Sequence, residues 1–228
     1  MQLVDLLVLH KIAKKHHAKK LIKEGHMTIN GHVITENIEI HNEDVFYDNQ
    51  RLDSHPLKYY MLNKPSHYLC ANKDEHEPCV IDLMPRTDLH MVGRLDRDTT
   101  GLLLLTNDLK LRKRLTLPLY QIEKTYYFTC QSPLTKEVIE KTKEGVIIDH
   151  DHVCQCHFQM INDYEGYITI YEGRYHEVKK ILRSLNNRIL SLKRVSFCHL
   201  PLGDLQEGEY RLLTNEEITI LRESVHLD

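Results

Sequence analysis

The sequence predicts an α+β protein in two parts, a small amino-terminal module and a larger domain with a mixed, mainly antiparallel sheet flanked by helices. From residue 59 onward, short segments rich in aromatic and β-branched residues outnumber the helical patterns between them, and many connections are short. These features favour a largely antiparallel sheet over a doubly wound parallel one. Residues 48–58 are polar and include Pro56, so we predict a linker there and divide the chain into residues 1–55 and 56–228.

The small module is predicted to begin with helical residues 3–24, broken near residues 14–16, and Gly25 is the expected helix C-cap. The apolar runs on either side of Asn30-Gly31 predict a β-hairpin, because this dipeptide tolerates the left-handed conformations of a tight hairpin turn. Further strand-like pieces follow as far as residue 48. A segment of this length can bury only a small core.

In the larger domain we predict several short strands and four helices. The strands read YYMLNK, YLCA, HMVG, GLLLLT, KTYYFTC, GYITIY and RILSLKRV. The helices cover residues 108–116, 135–143, 177–185 and 215–222. Thr214 and Glu217 have the spacing of a capping box, which marks the start of the last helix.

The composition excludes several classes of protein. The chain has 228 residues, of which 41% are hydrophobic and 28% are charged, as in ordinary globular domains. No segment approaches the roughly 20 apolar residues that span a bilayer. The amino end places its apolar stretch before its basic residues, which is the reverse of a signal peptide. We therefore expect a cytoplasmic protein without a membrane partner, whose six cysteines are free thiols.

The distribution of charge is more informative than the net charge of −3. Residues 11–26 carry six Lys against one Glu, residues 109–126 carry five basic residues against one acidic, and residues 171–194 carry seven against two. Three basic segments in a slightly acidic chain predict a basic face suited to a phosphate backbone. In the first segment, Lys11, Lys15, Lys19 and Lys23 have the spacing of one helix face. The alternative is that these lysines are simply solvated surface.

The segment from Val92 to Asp108 reads V-G-R-L-D-R-D-T-T-G-L-L-L-L-T-N-D. It places two carboxylates and two guanidinium groups in a tight turn between two apolar segments. Such a turn is either a structural salt-bridged loop or a rigid mount for a carboxylate nucleophile or general base. The run from Asp96 to Thr100 also fits D-x-D-x-T, which resembles the nucleophile loop of haloacid-dehalogenase-type phosphatases. That remains a remote alternative, because those enzymes require a parallel core.

The longer pattern G-R-L-D-x-x-T-x-G-L-L-L-L-T-N-D resembles the signature of the RsuA-type pseudouridine synthases. Four further motifs support the resemblance in the expected order, and together they cover essentially the whole chain. They are N-K-P at 63–65, E-K-T-Y at 123–126, E-G-R-Y-H-E-V-K-K at 172–180, and L-K-R at 192–194 followed by G-E-Y-R-L-L-T at 208–214. The first 55 residues resemble an S4-type RNA-binding module, which this family carries in front.

The resemblance implies an isomerase that converts a specific uridine of 16S ribosomal RNA to pseudouridine without a cofactor or a metal. Asp96 is then the essential carboxylate, which either attacks the ribose C1′ or abstracts a proton there. Lys179 is its basic partner, Tyr126 stacks on the target uracil, and Leu192 closes the apolar side of the pocket. The residues expected to bind RNA are Lys11, Lys14, Lys15, Lys19, Lys20, Lys23, Asn63, Lys64, Arg94, Lys124 and Arg174. The expected partner is ribosomal RNA or an assembling small subunit, and we expect a monomer.

Two alternatives use the same resemblance. The Tyr175-His176 pair matches the small-subunit type better than the large-subunit relatives, and the alternative is a large-subunit synthase of the same family. His67 and Leu109 stand where the family usually has Gly, and Gly permits a positive φ. If those two residues reshape the turn, the protein would be a non-catalytic ribosome-binding protein instead.

The alternating residues His150, His152, Cys154 and Cys156 resemble a zinc-binding set. On one continuous strand, however, same-face neighbours lie roughly 7 Å apart, so the first and last ligands would be about 20 Å apart. We therefore expect no metal there.

Overall fold

The computed structural model describes residues 1–40, 43–53, 57–85, 88–149 and 151–227, and the chain divides into two compact units. The first unit runs from Met1 to Lys58 and the second from Tyr59 to Asp228. The division lies in the polar segment that we predicted to be the linker. No helix among the described residues is long and apolar enough to cross a membrane.

The first unit packs two short helices against a four-stranded antiparallel sheet of order β2-β1-β3-β4. Its elements are α1 Leu3–Leu9, α2 Lys15–Lys23, β1 Met27–Ile29, β2 His32–Ile34, β3 Val45–Tyr47 and β4 Gln50–Leu52. The predicted hairpin is confirmed, with both turn residues, Asn30 and Gly31, at positive φ. The buried apolar face of each helix supplies the core of this unit, which includes Leu3, Leu6, Ala18 and Ile22.

Two predictions for this unit were wrong. The helix break lies at residues 10–14, and Lys11 sits in it with a φ of 56°, so Lys11 does not share the helix face of Lys15, Lys19 and Lys23. The polar stretch after Tyr47 is not all linker. Asp48 and Asn49 both have positive φ and close a hairpin between β3 and β4, so their polarity reflects turn chemistry.

The second unit is built on a mixed sheet whose order among the described strands is β11-β12-β8-β13-β7-β5-β15, with β14 beside β13 and β6 beside β7. The strands are β5 Tyr59–Lys64, β6 His90–Met91, β7 Thr100–Thr106, β8 Lys124–Cys130, β9 Val146–Ile148, β10 His152–Cys154, β11 Cys156–Asn162, β12 Glu165–Ile170, β13 Ile189–Phe197, β14 Leu200–Pro201 and β15 Tyr210–Leu212. Strands β9 and β10 pair separately. The helices are α3 Leu109–Leu115, α4 Lys136–Lys141, α5 Glu177–Ser184 and α6 Asn215–Glu223.

The pairing of β7 with β13 is parallel, whereas the other pairings between the described strands of this sheet are antiparallel. This pairing brings the backbone of Gly101 against that of Arg194, where a Cβ on Gly101 would lie 2.2 Å from the Arg194 carbonyl oxygen. The mainly antiparallel order confirms the predicted fold class. It also excludes the phosphatase interpretation, which requires a parallel core.

The predicted helices of this unit are all present, and the capping box of Thr214 and Glu217 is formed. The segment YLCA, predicted as a strand, is instead irregular, with a single bridge from Leu69 to Cys79. All six cysteines lie within the described residues and are free.

The segment with alternating His and Cys residues, where we expected no metal, is not one continuous strand. His150 lies outside the described residues, and β10 ends at Cys154 before β11 begins at Cys156. The two strands pair with different partners, and the His152 imidazole lies 3.0 Å from a carboxylate oxygen of Glu172. Because the segment is divided between two strands, the spacing of about 20 Å expected for one continuous strand does not apply.

Candidate active site

The turn that carries Asp96 lies between β6 and β7, and the buried ammonium group of Lys64 stabilises it through hydrogen bonds. The Lys64 side chain is fully buried at the end of β5, and its Nζ donates to the carbonyl oxygens of Pro65, Arg97 and Thr99 at 2.9, 3.2 and 2.9 Å. The Thr99 N–H also donates to the carbonyl oxygen of Asp96. Burial lowers the pKa of Lys64. Lys64 therefore fixes the backbone path of the turn.

The Asp96 carboxylate faces two side chains of one helix start, His176 and Lys179. Lys179 Nζ lies 2.8 Å from Asp96 Oδ2, and His176 Nε2 lies 3.3 Å from Asp96 Oδ1. Lys179 Nζ also lies 2.7 Å from Asp98 Oδ1. Although burial opposes it, pairing with Asp96 and Asp98 raises the pKa of Lys179, so this side chain is a cation at neutral pH. Lys179 therefore places a positive charge against the Asp96 carboxylate.

Helix α5 begins in a way that presents both of these groups to Asp96. His176 precedes the first helical residue and has a φ of 54°. The buried carboxylate of Glu177 accepts hydrogen bonds from the N–H groups of Gly173 and Arg174, both at 2.6 Å. A carboxylate in the first turn also suits the positive end of the helix. These bonds hold the E-G-R-Y-H loop in one conformation.

A cavity of about 110 Å³ opens beside Asp96. Its walls include Tyr126 on β8 and Leu192 on β13, both largely buried, together with Arg94 and Arg174. Burial raises the pKa of Tyr126, while the Arg194 guanidinium opposes that rise. Tyr126 is therefore a neutral aromatic at physiological pH. The cavity thus combines a carboxylate, an aromatic side chain and an apolar wall, which are the groups needed to hold a flat, uncharged base beside a reactive anion.

Two further cations lie in the wall of this cavity. Arg194 is 1% exposed, its Nε donates to the Leu102 carbonyl oxygen at 2.6 Å, and its Cζ lies 6.0 Å from the centre of the Tyr126 ring. Among the described residues, no hydrogen-bond partner faces its buried Nη2. Lys124 Nζ donates to the carbonyl oxygens of Ile122 and Tyr171 at 2.6 and 3.4 Å. Burial, reinforced by Arg194, lowers the pKa of Lys124 to about 8.

The structure brings Asp96, Tyr126, Lys179 and Leu192 together around this cavity, as the resemblance implied. Arg94 is exposed at the edge of the cavity, and Arg174 Nε bonds the carboxylate of Glu172 at 2.7 Å. In the first unit, the six predicted lysines are all exposed. They are Lys11, Lys14, Lys15, Lys19, Lys20 and Lys23.

Three residues predicted to bind RNA are buried in the structure. Asn63 and Lys64 lie on a strand buried on both faces, where Asn63 Nδ2 donates to the Leu205 carbonyl oxygen and Lys64 braces the Asp96 turn. Lys124 is 7% exposed and bonds two carbonyl groups in the cavity wall. All three side chains are buried and bond main-chain carbonyl groups, so they form no exposed RNA surface, although Lys124 lines the cavity.

The two departures from the family pattern leave the turn in place. His67 adopts a φ of 66°, the conformation that Gly favours, and its N–H donates to the Arg97 carbonyl oxygen at 2.8 Å. Leu109 begins α3 and is exposed, while the preceding Asp108 caps this helix by accepting from two backbone N–H groups. The distortion that would have favoured a non-catalytic protein is absent from these residues.

His176 and Arg194 were not predicted from the sequence to take part in the site. A signal for each was present: His176 precedes Lys179 by three residues, so both reach the same side of a helix start, and Arg194 follows Leu192 by two on one strand face. Both lie inside motifs that were recognised for other residues.

Comparison with known proteins agrees with this geometry. Residues 58–184 match the RNA pseudouridylate synthase family, and residues 1–46 match the S4 domain. The chain is 35% identical over 210 residues to the ribosomal small subunit pseudouridine synthase A of Haemophilus influenzae, covering 88% of this chain and 90% of that protein. The protein of the same name from Escherichia coli K12 is also 35% identical over 210 residues, covering 88% of this chain and 91% of that protein.

The fold of this chain is also similar to that of a solved structure. A crystal structure of a pseudouridylate synthase superposes with a TM-score of 0.69 and 31% sequence identity, covering 97% of this chain and 99% of that one. The match therefore extends over both units taken along the chain, and the family match contains the turn of Asp96 and the start of α5. The chain belongs to the RNA pseudouridylate synthase family and is a pseudouridine synthase with an S4 domain at its amino end.

Proposed function

We propose that this pseudouridine synthase isomerises a specific uridine of 16S ribosomal RNA, with Asp96 as the essential catalytic carboxylate. The relatives reported above carry small-subunit names, which supports the choice of RNA. The observation that carries the role of Asp96 is its ion pair with Lys179, at 2.8 Å, in the wall of the cavity. We further propose that the protein acts as a monomer in the cytoplasm.

The reaction moves one bond and one proton. The C1′–N1 glycosidic bond of uridine breaks, the uracil turns, and a C1′–C5 bond forms. C5 loses its proton and N1 gains one, so the oxidation level is unchanged and no redox cofactor is required. Asp96 either forms a transient ester at C1′ or removes a proton from the ribose, and both routes need an ionised carboxylate. Lys179 places a positive charge 2.8 Å from this carboxylate.

The remaining side chains hold the base and the backbone. Tyr126 offers a ring face for stacking on the uracil, and Leu192 covers the apolar side of the cavity. A uridine must leave its stack to enter the cavity, so phosphates on either side of it pass the edge where Arg94 and Arg174 lie. In the first unit the exposed lysines of α2 add sequence-independent attraction for the RNA backbone.

Mapping pseudouridine in ribosomal RNA tests this proposal. RNA from cells that lack the gene is compared with RNA from the same cells expressing the wild-type chain or Asp96→Asn. The proposal predicts one small-subunit position that loses pseudouridine on deletion and regains it only with the wild-type chain. Loss of pseudouridine at a position in large-subunit RNA would support the large-subunit alternative. Unchanged maps in both RNAs would contradict the proposed activity, and rescue by Asp96→Asn would contradict the role of Asp96.

A further inference from the structure

Tyr175 is an exposed aromatic side chain at the edge of the cavity. Its neighbours in sequence, Arg174 and His176, both line the cavity, whereas Tyr175 does not. The residue is 72% exposed. A single exposed aromatic residue is common on protein surfaces and by itself requires no explanation. The surroundings of Tyr175 distinguish it from such residues.

The Tyr175 ring is held in place by the site. It stacks on the His176 ring with centroids 3.8 Å apart and planes 22° from parallel. His176 in turn lies 3.3 Å from Asp96, and Glu177 bonds the backbone N–H groups of the preceding loop. His176 stacks on the ring and Lys180 Nζ lies 5.8 Å from its centre, yet 72% of the residue is exposed, so the ring offers an accessible, pre-positioned surface to solvent. Packing within the protein does not require that exposure.

The charges around Tyr175 suit RNA. Lys180 Nζ lies 5.8 Å from the centre of the Tyr175 ring while pairing with Asp149, and the half-exposed Arg174 is the preceding residue. Proteins that bind single-stranded nucleic acid combine cationic groups for the backbone with aromatic rings on which bases stack. A nucleotide next to the one in the cavity has to pass this edge.

We propose that Tyr175 is a stacking platform for the unpaired base adjacent to the target uridine. The proposal rests on the proposed function, because it places the target uridine in the cavity beside Asp96. Tyr175 then contributes to substrate choice by favouring a site whose neighbouring base is free to unstack, while His176 positions the platform against the catalytic carboxylate. The hydroxyl group of Tyr175 has no part in this role.

The test is a cycle in which the protein and the RNA are changed separately and together. The RNA is a fragment that contains the uridine located by mapping, with either neighbouring base intact or replaced by an abasic ribose. Dissociation constants and single-turnover rates are measured for wild type, Tyr175→Ala, Tyr175→Phe and Tyr164→Ala. Tyr164 is an exposed tyrosine in the turn between β11 and β12, so Tyr164→Ala controls for loss of a surface ring.

Stacking predicts that Tyr175→Ala weakens binding of intact RNA by about tenfold, since base stacking is worth about 1–3 kcal/mol per base. Tyr175→Phe and Tyr164→Ala bind like the wild type. Replacing one of the two neighbouring bases by an abasic ribose weakens RNA binding by the wild type by a similar factor. The same replacement does not further weaken RNA binding by Tyr175→Ala. The proposal is wrong if, at each of the two neighbouring positions, the losses in binding free energy from Tyr175→Ala and from the abasic ribose simply add. It is also wrong if Tyr175→Phe binds as poorly as Tyr175→Ala. The proposed function fails separately, when the deletion map shows no position that loses pseudouridine.

Discussion

Asp96 and Lys179 form the pair on which the proposed chemistry depends. Each is partly shielded from water, with 24% and 17% of the side chain exposed. Removing the cation from such a pair leaves a carboxylate without its main source of stabilisation. Asp98 shares the same ammonium group but is far more exposed, so it remains well solvated without it.

Lys179→Met is therefore expected to slow turnover more than it weakens RNA binding. A loss of about 2–3 kcal/mol, reduced from that of a fully buried pair because both groups are partly exposed, corresponds to a single-turnover rate roughly 30- to 150-fold lower. Arg183→Met, at an exposed position on the same helix, is the control and should remain near the wild-type rate. Weaker binding with an unchanged single-turnover rate would show that Lys179 contacts phosphate instead.

Lys124 predicts a measurable dependence of stability on pH. Its folded pKa of about 8 lies below the ordinary value of 10.5, so the folded state releases this proton first as the pH rises. Between these values the unfolded state binds more protons, and stability therefore increases with pH as far as this group is concerned. Relative to Lys124→Met, the wild type should gain about 2 kcal/mol in unfolding free energy from pH 7 to pH 9.5. Urea unfolding of both proteins at the two pH values measures this difference, and a constant difference would contradict a buried, easily deprotonated Lys124.

At the scale of single residues, the sequence predicted the members of the site better than their surroundings. The motif matches placed Asp96, Lys179 and Tyr126 together, whereas Asn63 and Lys64, predicted to bind RNA, are buried. Lys64 ends a strand that is buried on both faces, and a lysine in an apolar run is as consistent with a buried brace as with a surface cation. The three carbonyl oxygens around Lys64 Nζ show that this lysine is a buried hydrogen-bond donor and not a surface cation.

At the scale of elements, the parallel pairing of β7 with β13 positions residues of the candidate active site. Arg194 points from β13 toward Tyr126, and β7 continues from the turn that carries Asp96. The two strands approach closely because Gly101 has no side chain at the point of contact. Its φ of 102° is also a conformation that other residues rarely adopt.

Gly101→Ala is expected to destabilise the second unit by about 3 kcal/mol or more, because a Cβ would lie 2.2 Å from the Arg194 carbonyl oxygen and would also strain the backbone. Gly203→Ala is the matched control. Gly203 also has a positive φ, but nothing lies within 4 Å of its added Cβ, so only the conformational cost of about 1–2 kcal/mol remains. Thermal unfolding followed by circular dichroism compares the two, and equal losses would contradict close strand contact.

Elements with strong local signals were predictable and those determined by their partners were not. Asp108 and Thr214 mark the starts of α3 and α6 in the sequence, and the structure confirms both. The hairpin at Asp48-Asn49 was missed because turn residues that require positive φ are also typical of linkers. The segment around Leu69 has strand-like residues, but it forms a single bridge, so pairing rather than propensity decides its structure.

At the scale of the molecule, a net charge of −3 coexists with an exposed set of lysines in the first unit. Lys15, Lys19 and Lys23 lie on α2 at spacings of four residues and are all exposed. Lys11, predicted to extend this face, lies in the break between the helices. The S4 domain match covers these residues, which agrees with a role in binding RNA.

Replacing Lys15, Lys19 and Lys23 with Ala should reduce the slope of log affinity against log salt. Each lost phosphate contact reduces the slope by about 0.7–0.9, because fewer counterions are released on binding. A variant with Ala at Lys136, Lys141 and Lys143 removes the same charge from exposed positions on or next to α4 and serves as the control. If both variants change the slope equally, the face of α2 has no specific role in binding RNA.

The role of Asp96 is the central claim, and tritium release from RNA labelled at uridine C5 tests it most directly. Asp96→Asn keeps the size and shape of the side chain but replaces the carboxylate that faces Lys179 and His176 with a neutral amide. We predict that the purified variant binds RNA and unfolds like the wild type, while its tritium release falls by several orders of magnitude. Release at a rate near that of the wild type would contradict the mechanism.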